Sequence, residues 1–577
     1  MAKVRTWDQT IRLKALPWRR IVRSPLFWLA LPVGWVIAAY IIYPFTSLIH
    51  ASVIGRTGEG LTLSNYLLFF DIKSAYFLSF LRSLRVAVVV VFLTTVLGIG
   101  LAFLFTRFDF PGRNVMYSMA IMPLVLPGFV AAYAYLMLYG RFGMITRLWN
   151  LITTGELGQA SIYLDRYSGV VAVQTVAYLP FMFLTISAVM ARLDPAMEEA
   201  ALSLGASRWR TFTRVTLPLL APGIAAGAIL VFSSSMADFG TPLFMEYEAF
   251  TVSIFKAKIA DEPNIAAALS VILTLSSLAA LYVVRVYLEQ REYASLTRGV
   301  SRPAQVMRGW RRLAAMTIAA LIVIIMLLPL GMIILMSFTD VQRWSVRELL
   351  PPYLHTKHYL SLFKGTLLRA LRNSLTFATL ATTLSMVYGT IVAYLLTRRR
   401  FLGQRVLDGL VTSPYVIPGT VVGVAYIIAF NRRTPFSLGM VWVATPIIIV
   451  VALFMRRSAY VIRSVVASFQ QMDPSLEEAA LSLGASWGYA FRRVIVPMIL
   501  PGLVAGAMLC FVTGVAELST SILLYTSATQ TIPITIYQLV YNSAIGQASA
   551  LGIVQVLVVL TSLLIINRTV GMRSIQL

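Results

Sequence analysis

Apolar runs of about 20 residues, the length an α-helix needs to cross a bilayer, recur along the chain with short polar breaks between them. They predict spans at 27–49, 84–106, 115–139, 169–190, 219–240 and 264–285, and again at 314–337, 373–397, 407–430, 438–455, 498–521 and 548–567. The expected fold is an all-α membrane protein of about twelve transmembrane helices in two sets of six, with lipid around it. Residues 1–290 would form the first six-helix unit, 291–312 a basic linker and 313–577 the second unit. The basic segment before Phe27–His50 looks like the start of a secretion signal, but the apolar stretch is too long and lacks a small-residue cleavage pattern, so it reads as a retained first span.

The polar breaks carry an internal repeat. Asp194–Gly223 reads DPAMEEAALSLGASRWRTFTRVTLPLLAPG and Asp473–Gly502 reads DPSLEEAALSLGASWGYAFRRVIVPMILPG, with 18 of 30 positions identical at a constant offset of 279. Upstream, TRFDFPGR at Thr106–Arg113 resembles TRRRFLGQR at Thr397–Arg405, and Pro127-Gly128 and Pro418-Gly419 lie 291 apart. The twelve residues lost between these points fall on a loop that is longer at 140–168 than at 431–437. Six spans per unit return the chain to its starting side, so the units are parallel repeats about an axis along the membrane normal, the natural place for a pathway.

Each copy starts a helix with Asp194-Pro195 or Asp473-Pro474, since Asp caps free amides and Pro suits the first helical position. Glu198, Glu199, Glu477 and Glu478 then fall in first turns, where the helix dipole favours negative charge. Gly205 and Gly484 suit a left-handed stop. Ser207 and Ser486 are placed to cap a second short helix, closed by Pro218 and Pro497.

These residues match a family. Glu199-Ala200-Ala201, Gly205, Val215, Leu217, Pro218 and the second set, Glu478-Ala479-Ala480, Gly484, Val494, Val496, Pro497, resemble the cytoplasmic EAA loop of binding-protein-dependent ABC importer permeases; Val496 departs from the usual Leu. The resemblance covers nearly the whole chain as a fused pair of units. It implies that Glu198, Glu199, Ala200, Ala201 and Gly205, with Glu477, Glu478, Ala479, Ala480 and Gly484, form two coupling helices. These would sit in clefts of two identical or similar ATP-binding subunits, Glu199 and Glu478 engaging basic groups there. It also implies a periplasmic or lipid-anchored substrate-binding protein, and a multi-pass place in a bacterial inner membrane with both termini cytoplasmic. ATP and Mg would be held by the partner subunits: none of the seven lysines here lies in a Gly-Lys-Ser/Thr context. The chain would be a transport subunit, not an enzyme.

The formal charge of +25 raises the question of nucleic acid, and its distribution argues against it. With a cytoplasmic N-terminus, 31 Lys and Arg fall inside, 16 outside and one, Arg85, at a helix end. That asymmetry orients a membrane protein. Cys510 is the single cysteine and excludes an intramolecular disulfide. His355 and His358, an HxxH in an expected outer loop, make a poor metal site without a nearby carboxylate or thiol, so no metal is assigned.

Asp238 and Glu517, again 279 apart, fall near the outer ends of spans five and eleven. They read either as pathway carboxylates at an outer gate or as solvated loop acids. Pro127-Gly128 and Pro418-Gly419 interrupt span three of each unit, as a pathway hinge or as a packing kink. Asp-Phe-Gly-Thr from Asp238 and Glu-Leu-Ser-Thr from Glu517 look like the fused permeases of ferric-iron importers, and hard oxygen ligands suit trivalent iron. The fused layout is also similar to permeases for thiamine, phosphonates and sugar phosphates. A secondary transporter with parallel repeats is the competing class, but few charges lie deep in the spans. A membrane enzyme finds no nucleophile–base pair to support it.

Overall fold

The computed structural model describes residues 25–55, 60–155, 163–290, 305–344, 348–398, 401 and 403–570. The basic segment 1–24, linker residues 291–304, and Arg399 and Arg400 lie outside them.

The first unit contains α1 (Ala30–Ser52), α2 (Ala75–Arg107), α3 (Arg113–Leu124), α4 (Gly128–Tyr139), α5 (Arg166–Met190), α6 (Pro195–Ser203), α7 (Arg208–Ala237) and α8 (Pro263–Gln290). The second repeats the order: α9 (Gly309–Ser337), α10 (Gly365–Arg398), α11 (Gln404–Val416), α12 (Gly419–Phe430), α13 (Pro446–Gln471), α14 (Ser475–Ser482), α15 (Trp487–Val515) and α16 (Ile545–Val570). Each element thus has its equivalent eight labels on.

Among the described residues, nine helices are long and apolar enough to cross a membrane, and two bent pairs bring the number to eleven. The bends fall at the expected Pro-Gly breaks: 102° at Pro127 and 106° at Pro418. The twelfth helix corrects the sequence reading. The span expected at 438–455 starts only at Pro446 and runs 26 residues to Gln471. Its Arg456, Arg457 and Arg463 break the apolar window, so hydropathy cut the span short and assigned these arginines to an inner loop.

In each unit three helices form the centre: α2, α5 and α7 pack mutually, as do α10, α13 and α15. Small residues permit the close crossings. A Cβ added to Gly98 would lie 2.8 Å from Met182 Cγ, and one added to the equivalent Gly389 would lie 2.9 Å from Val461 Cγ1. The first helices are exchanged between units. α1 packs on α8 and on α12 of the second unit, while α9 packs on α16 and on α4 of the first. Polar contacts fix the exchange: Tyr426 donates to the Tyr40 carbonyl (2.9 Å), Tyr43 to that of Ala429 (3.2 Å), and Tyr133 Oη lies 3.2 Å from Ser549 Oγ. The described end of the linker, Gln305–Val306, pairs in parallel with Phe108–Asp109 just past α2.

Candidate functional site

The repeated segments have one backbone design. Asp194 accepts from the Ala196 amide (2.9 Å) and Asp473 from that of Ser475 (2.9 Å), fastening the start of each short helix. At the other end Gly205 and Gly484 have φ of +83° and +84°, the left-handed conformation that L side chains resist. The Ala206 amide then reaches back to the Ala201 carbonyl (3.0 Å) and Ala485 to Ala480 (3.2 Å), closing the orphan carbonyls. Ser207 and Ser486 cap the following turns by accepting from Arg210 N (3.2 Å) and Tyr489 N (3.4 Å).

Pro218 and Pro497 do not close a separate short helix, as expected, but lie inside α7 and α15. A single widened π-turn, Phe212–Thr216 or Phe491–Ile495, precedes each proline. The widening gives the ring room against earlier carbonyls, so the helix continues.

The two glutamates of each copy separate. Glu199 and Glu478 are exposed, as are Ala200 and Ala479, while Ala201 and Ala480 are half-buried. Glu198 and Glu477 turn inward. Glu198 pairs with Arg107 at the end of α2 (2.6 Å) and accepts from Thr216 Oγ1 (2.8 Å). Glu477 accepts from Tyr394 Oη (2.8 Å), with Arg398 Nε 3.9 Å away and Trp487 Nε1 donating to the same tyrosine oxygen (3.1 Å). Leu204 and Leu483, both 89% exposed, stand beside the glycines. Arg107, Tyr394 and Trp487 were missed from sequence. The only pointer to them was that the TR dipeptides at 106 and 397 repeat along with the glutamates.

At the opposite end of α7 and α15 the structure brings the other candidates together. Asp238 is the C-cap of α7 and accepts from Gln174 Nε2 (2.9 Å) and the Thr241 amide (3.2 Å); Ser235 Oγ donates to Gln174 Oε1 (2.6 Å). Glu517, with a side chain only 3% exposed, pairs with Arg456 (2.7 Å) and Arg457 and accepts from the Thr520 amide (3.1 Å). The Pro-Gly break lies against each acidic turn. A Cβ on Gly128 would meet Thr241 Oγ1 at 3.3 Å, and one on Gly419 would meet Thr520 Oγ1 at 2.8 Å and Arg456 Nη1 at 2.9 Å.

The turns also touch across the units: a Cβ on Gly240 would lie 3.4 Å from Leu518 Cδ2. Neither acid is a solvated loop residue. They are not an equivalent pair either, because one has neutral partners and the other two guanidiniums. Shifting the span 169–190 by 279 gives 448–469, so the repeat held the bounds of α13, and Arg456 and Arg457 with them, that hydropathy lost.

Among the described residues no three His, Cys, Asp or Glu side chains are grouped to hold a metal. His355 and His358 meet edge to face with ring centroids 4.6 Å apart, and His358 Nε2 lies 3.1 Å from the Thr339 carbonyl. Burial holds the His358 imidazole below its usual pKa. Cys510 is buried in α15.

Over 94–293 and 369–573, well over half its length, the chain matches the family described as binding-protein-dependent transport system inner membrane component. The ferric transport system permease protein FbpB of Actinobacillus pleuropneumoniae is 27% identical to it over 487 residues, 83% of this chain and 69% of that one. The molybdenum transport system permease protein ModB of Escherichia coli is 37% identical over 166 residues, 28% of this chain and 69% of that one. Among solved structures, a bacterial ABC transporter involved in importing the acidic polysaccharide alginate aligns with a TM-score of 0.37 and 21% identity, covering 46% of this chain and 96% of that chain. With two copies of the family's unit in one polypeptide, each carrying the same capped segment between its fourth and fifth spans, the chain belongs to the binding-protein-dependent inner membrane components and is a fused, multi-pass permease subunit of an ABC importer.

Proposed function

We propose that this permease carries ferric iron and that its repeated segments are coupling helices seated in two separate ATP-binding subunits, where ATP and Mg are bound. A substrate-binding protein docks on the opposite face. In this reading α6 and α14 face the cytoplasm, as do both termini. The observation that carries the coupling role is the matched display on both segments: an almost fully exposed leucine beside a left-handed glycine, at the same offset in each unit. Large apolar side chains held into solvent at paired positions fit clefts supplied by a partner. Closure of the ATP subunits then draws the two units together and switches the side to which the pathway opens, because ATP binds the closed state better.

Iron as cargo is supported by the ferric relative that matches 83% of the chain. A second reading, an oxyanion, is favoured by the higher local identity to the molybdenum relative and by two buried arginines facing a single glutamate. Proteoliposomes holding the permease with its ATP-binding subunits, given binding protein loaded with ferric iron or with molybdate, separate the two. ATP-dependent accumulation of iron alone supports the first reading; accumulation of molybdate alone overturns it. Loss of uptake in Gly205→Val and Gly484→Val tests the coupling role, and unchanged uptake and ATPase stimulation in both variants would refute it.

A further inference from the structure

A cavity of about 660 Å³ lies behind the first coupling segment, between the ends of α2 and α5 and the start of α7. Its one acidic wall residue, Glu198, is already paired with Arg107; Arg113 donates through Nε to the Phe105 carbonyl (2.7 Å), and neither it nor the exposed Arg208 has an acidic partner among the described residues. Three buried polar atoms of its lining residues have no hydrogen-bond partner among the described residues: Ser187 Oγ, Thr211 Oγ1 and Arg107 Nε. Ser187 and Thr211 are each only 5% exposed, so bulk water does not satisfy them. Unpaired buried donors beside excess positive charge are a site for acceptor oxygens carrying negative charge.

The second unit supplies an internal control. At the equivalent positions Ser187 is replaced by Val466, Thr211 by Ala490, Arg208 by Trp487 and Arg113 by Gln404. There the Trp487 indole stacks on Phe491 with centroids 5.1 Å apart and donates to Tyr394 Oη, and an opening of about 550 Å³ lined by Arg398, Gln404, Asp408, Arg463 and Val466 remains at the ends of α10 and α13. Both units keep an opening here, but in the second Asp408 pairs with Arg463 at the wall (2.9 Å) and the two hydroxyls are replaced by Val466 and Ala490, whereas the first keeps Ser187 and Thr211 without a hydrogen-bond partner among the described residues. Nothing in the shared backbone requires the different lining, since both segments have the same caps and the same glycine conformation.

We propose that this cavity binds an organic phosphate, either a phospholipid headgroup or a free phosphate ester. Arg113 and Arg208 neutralise its charge, and Ser187 and Thr211 donate to its oxygens. Phe103, Tyr117 and Phe212 give the remainder an apolar wall. A bound phosphate competes with Glu198 for Arg107 and so loosens the tie between α6 and α2 in the first unit only. Exposure of the cavity mouth to the cytoplasm rests on the orientation proposed above; binding itself does not, and neither does it depend on the cargo.

The full chain, purified in maltoside and stripped of lipid, is titrated with dihexanoyl phosphatidylglycerol and with glycerol 3-phosphate, and binding is read by native mass spectrometry and by thermal shift. The expected result is saturable one-to-one binding that weakens at least tenfold in the variant carrying Arg113→Gln, Arg208→Trp and Thr211→Ala, the residues of the second unit. Ser187→Val alone, which removes one donor without altering charge, weakens it less and covers failure of the triple variant to fold. Tighter binding of the lipid identifies a headgroup site, and tighter binding of glycerol 3-phosphate a free-phosphate site. No binding of either probe, or equal binding by the triple and wild-type chains, overturns the proposal, whatever the outcome of transport assays.

Discussion

The two coupling segments share a backbone and differ in what holds them. α6 is anchored by an ion pair, Arg107 to Glu198, at the edge of a cationic cavity. α14 is anchored mainly by Tyr394, which gives Glu477 a neutral donor and is itself held by Trp487, with Arg398 at a longer 3.9 Å from the carboxylate. The displayed face is equal in both: the same capping, φ near +83°, and leucines of equal exposure. The difference teaches that the outward face and the inward anchor answer to separate demands. In the coupling role proposed above the face fits a partner, whereas the anchor need only satisfy a buried carboxylate, which an arginine or a tyrosine can do. An anchor that rests on a short ion pair responds to salt and to competing anions more than one that rests on a tyrosine with a 3.9 Å ion pair beside it. Equal strokes from two identical partners would therefore be passed on through unequal tethers.

The largest expected effect attacks the shared face. Gly205→Val or Gly484→Val places a β-branched residue at positive φ, which costs about 1–2 kcal/mol locally and tilts the segment away from its partner. Uptake should fall roughly tenfold or more in each, measured in proteoliposomes; a defect in only one would show that a single unit receives the stroke. Next, Glu517→Gln leaves Arg456 and Arg457 uncompensated and should cost about 3–5 kcal/mol. Asp238→Asn keeps one acceptor oxygen, for the Thr241 amide, loses the bond from Gln174 and strands no charge, so it should cost only about 1 kcal/mol. Thermal midpoints in detergent check the contrast, and equal losses would show that the two axial sites are alike after all.

A similar but smaller contrast holds at the anchors. Glu198→Gln strands the partly buried Arg107, paired at 2.6 Å, and should cost about 2 kcal/mol; Glu477→Gln keeps an acceptor for Tyr394 and gives up only the longer 3.9 Å pair with Arg398, and should cost about 1 kcal/mol. High salt should erode the wild-type stability contributed by the first anchor more than that of the second. The smallest effect is expected at Asp165, which caps α5 by accepting from the Ser168 amide (2.7 Å) and has its carboxyl pKa lowered chiefly by Ser168. A depressed folded-state pKa means that this stabilisation is present above about pH 4 and lost as pH falls further. Asp165→Ala should cost about 1 kcal/mol at neutral pH, and its difference from wild type should shrink in acid.

Much of this was legible in the sequence. The duplication, the Asp caps and the stopping glycines were read correctly because each rests on local chemistry within a few residues. The bends at Pro127 and Pro418 followed from the same rule. What was not legible depended on pairing across the fold. Arg456 and Arg457 read as loop charges because a hydropathy window counts guanidiniums without seeing that Glu517 lies opposite. Likewise Asp238 and Glu517 looked equivalent by offset, since their partners Gln174 and Arg457 come from α5 and α13, whose facing residues have diverged. The inward turn of Glu198 rather than Glu199 was decided by Arg107, 91 residues earlier.

The exchange of first helices has a consequence in time. α1 is made early, yet Tyr40 and Tyr43 in it find their partners, Tyr426 and Ala429, only 386 residues later. At typical synthesis rates of about 5–20 residues per second, α1 waits roughly 20–80 s in the membrane before its docking surface exists. The unit that appears first in the sequence is thus among the last to be completed. A chain released before α12 leaves an open seam along α1, where membrane quality control has an edge to seize.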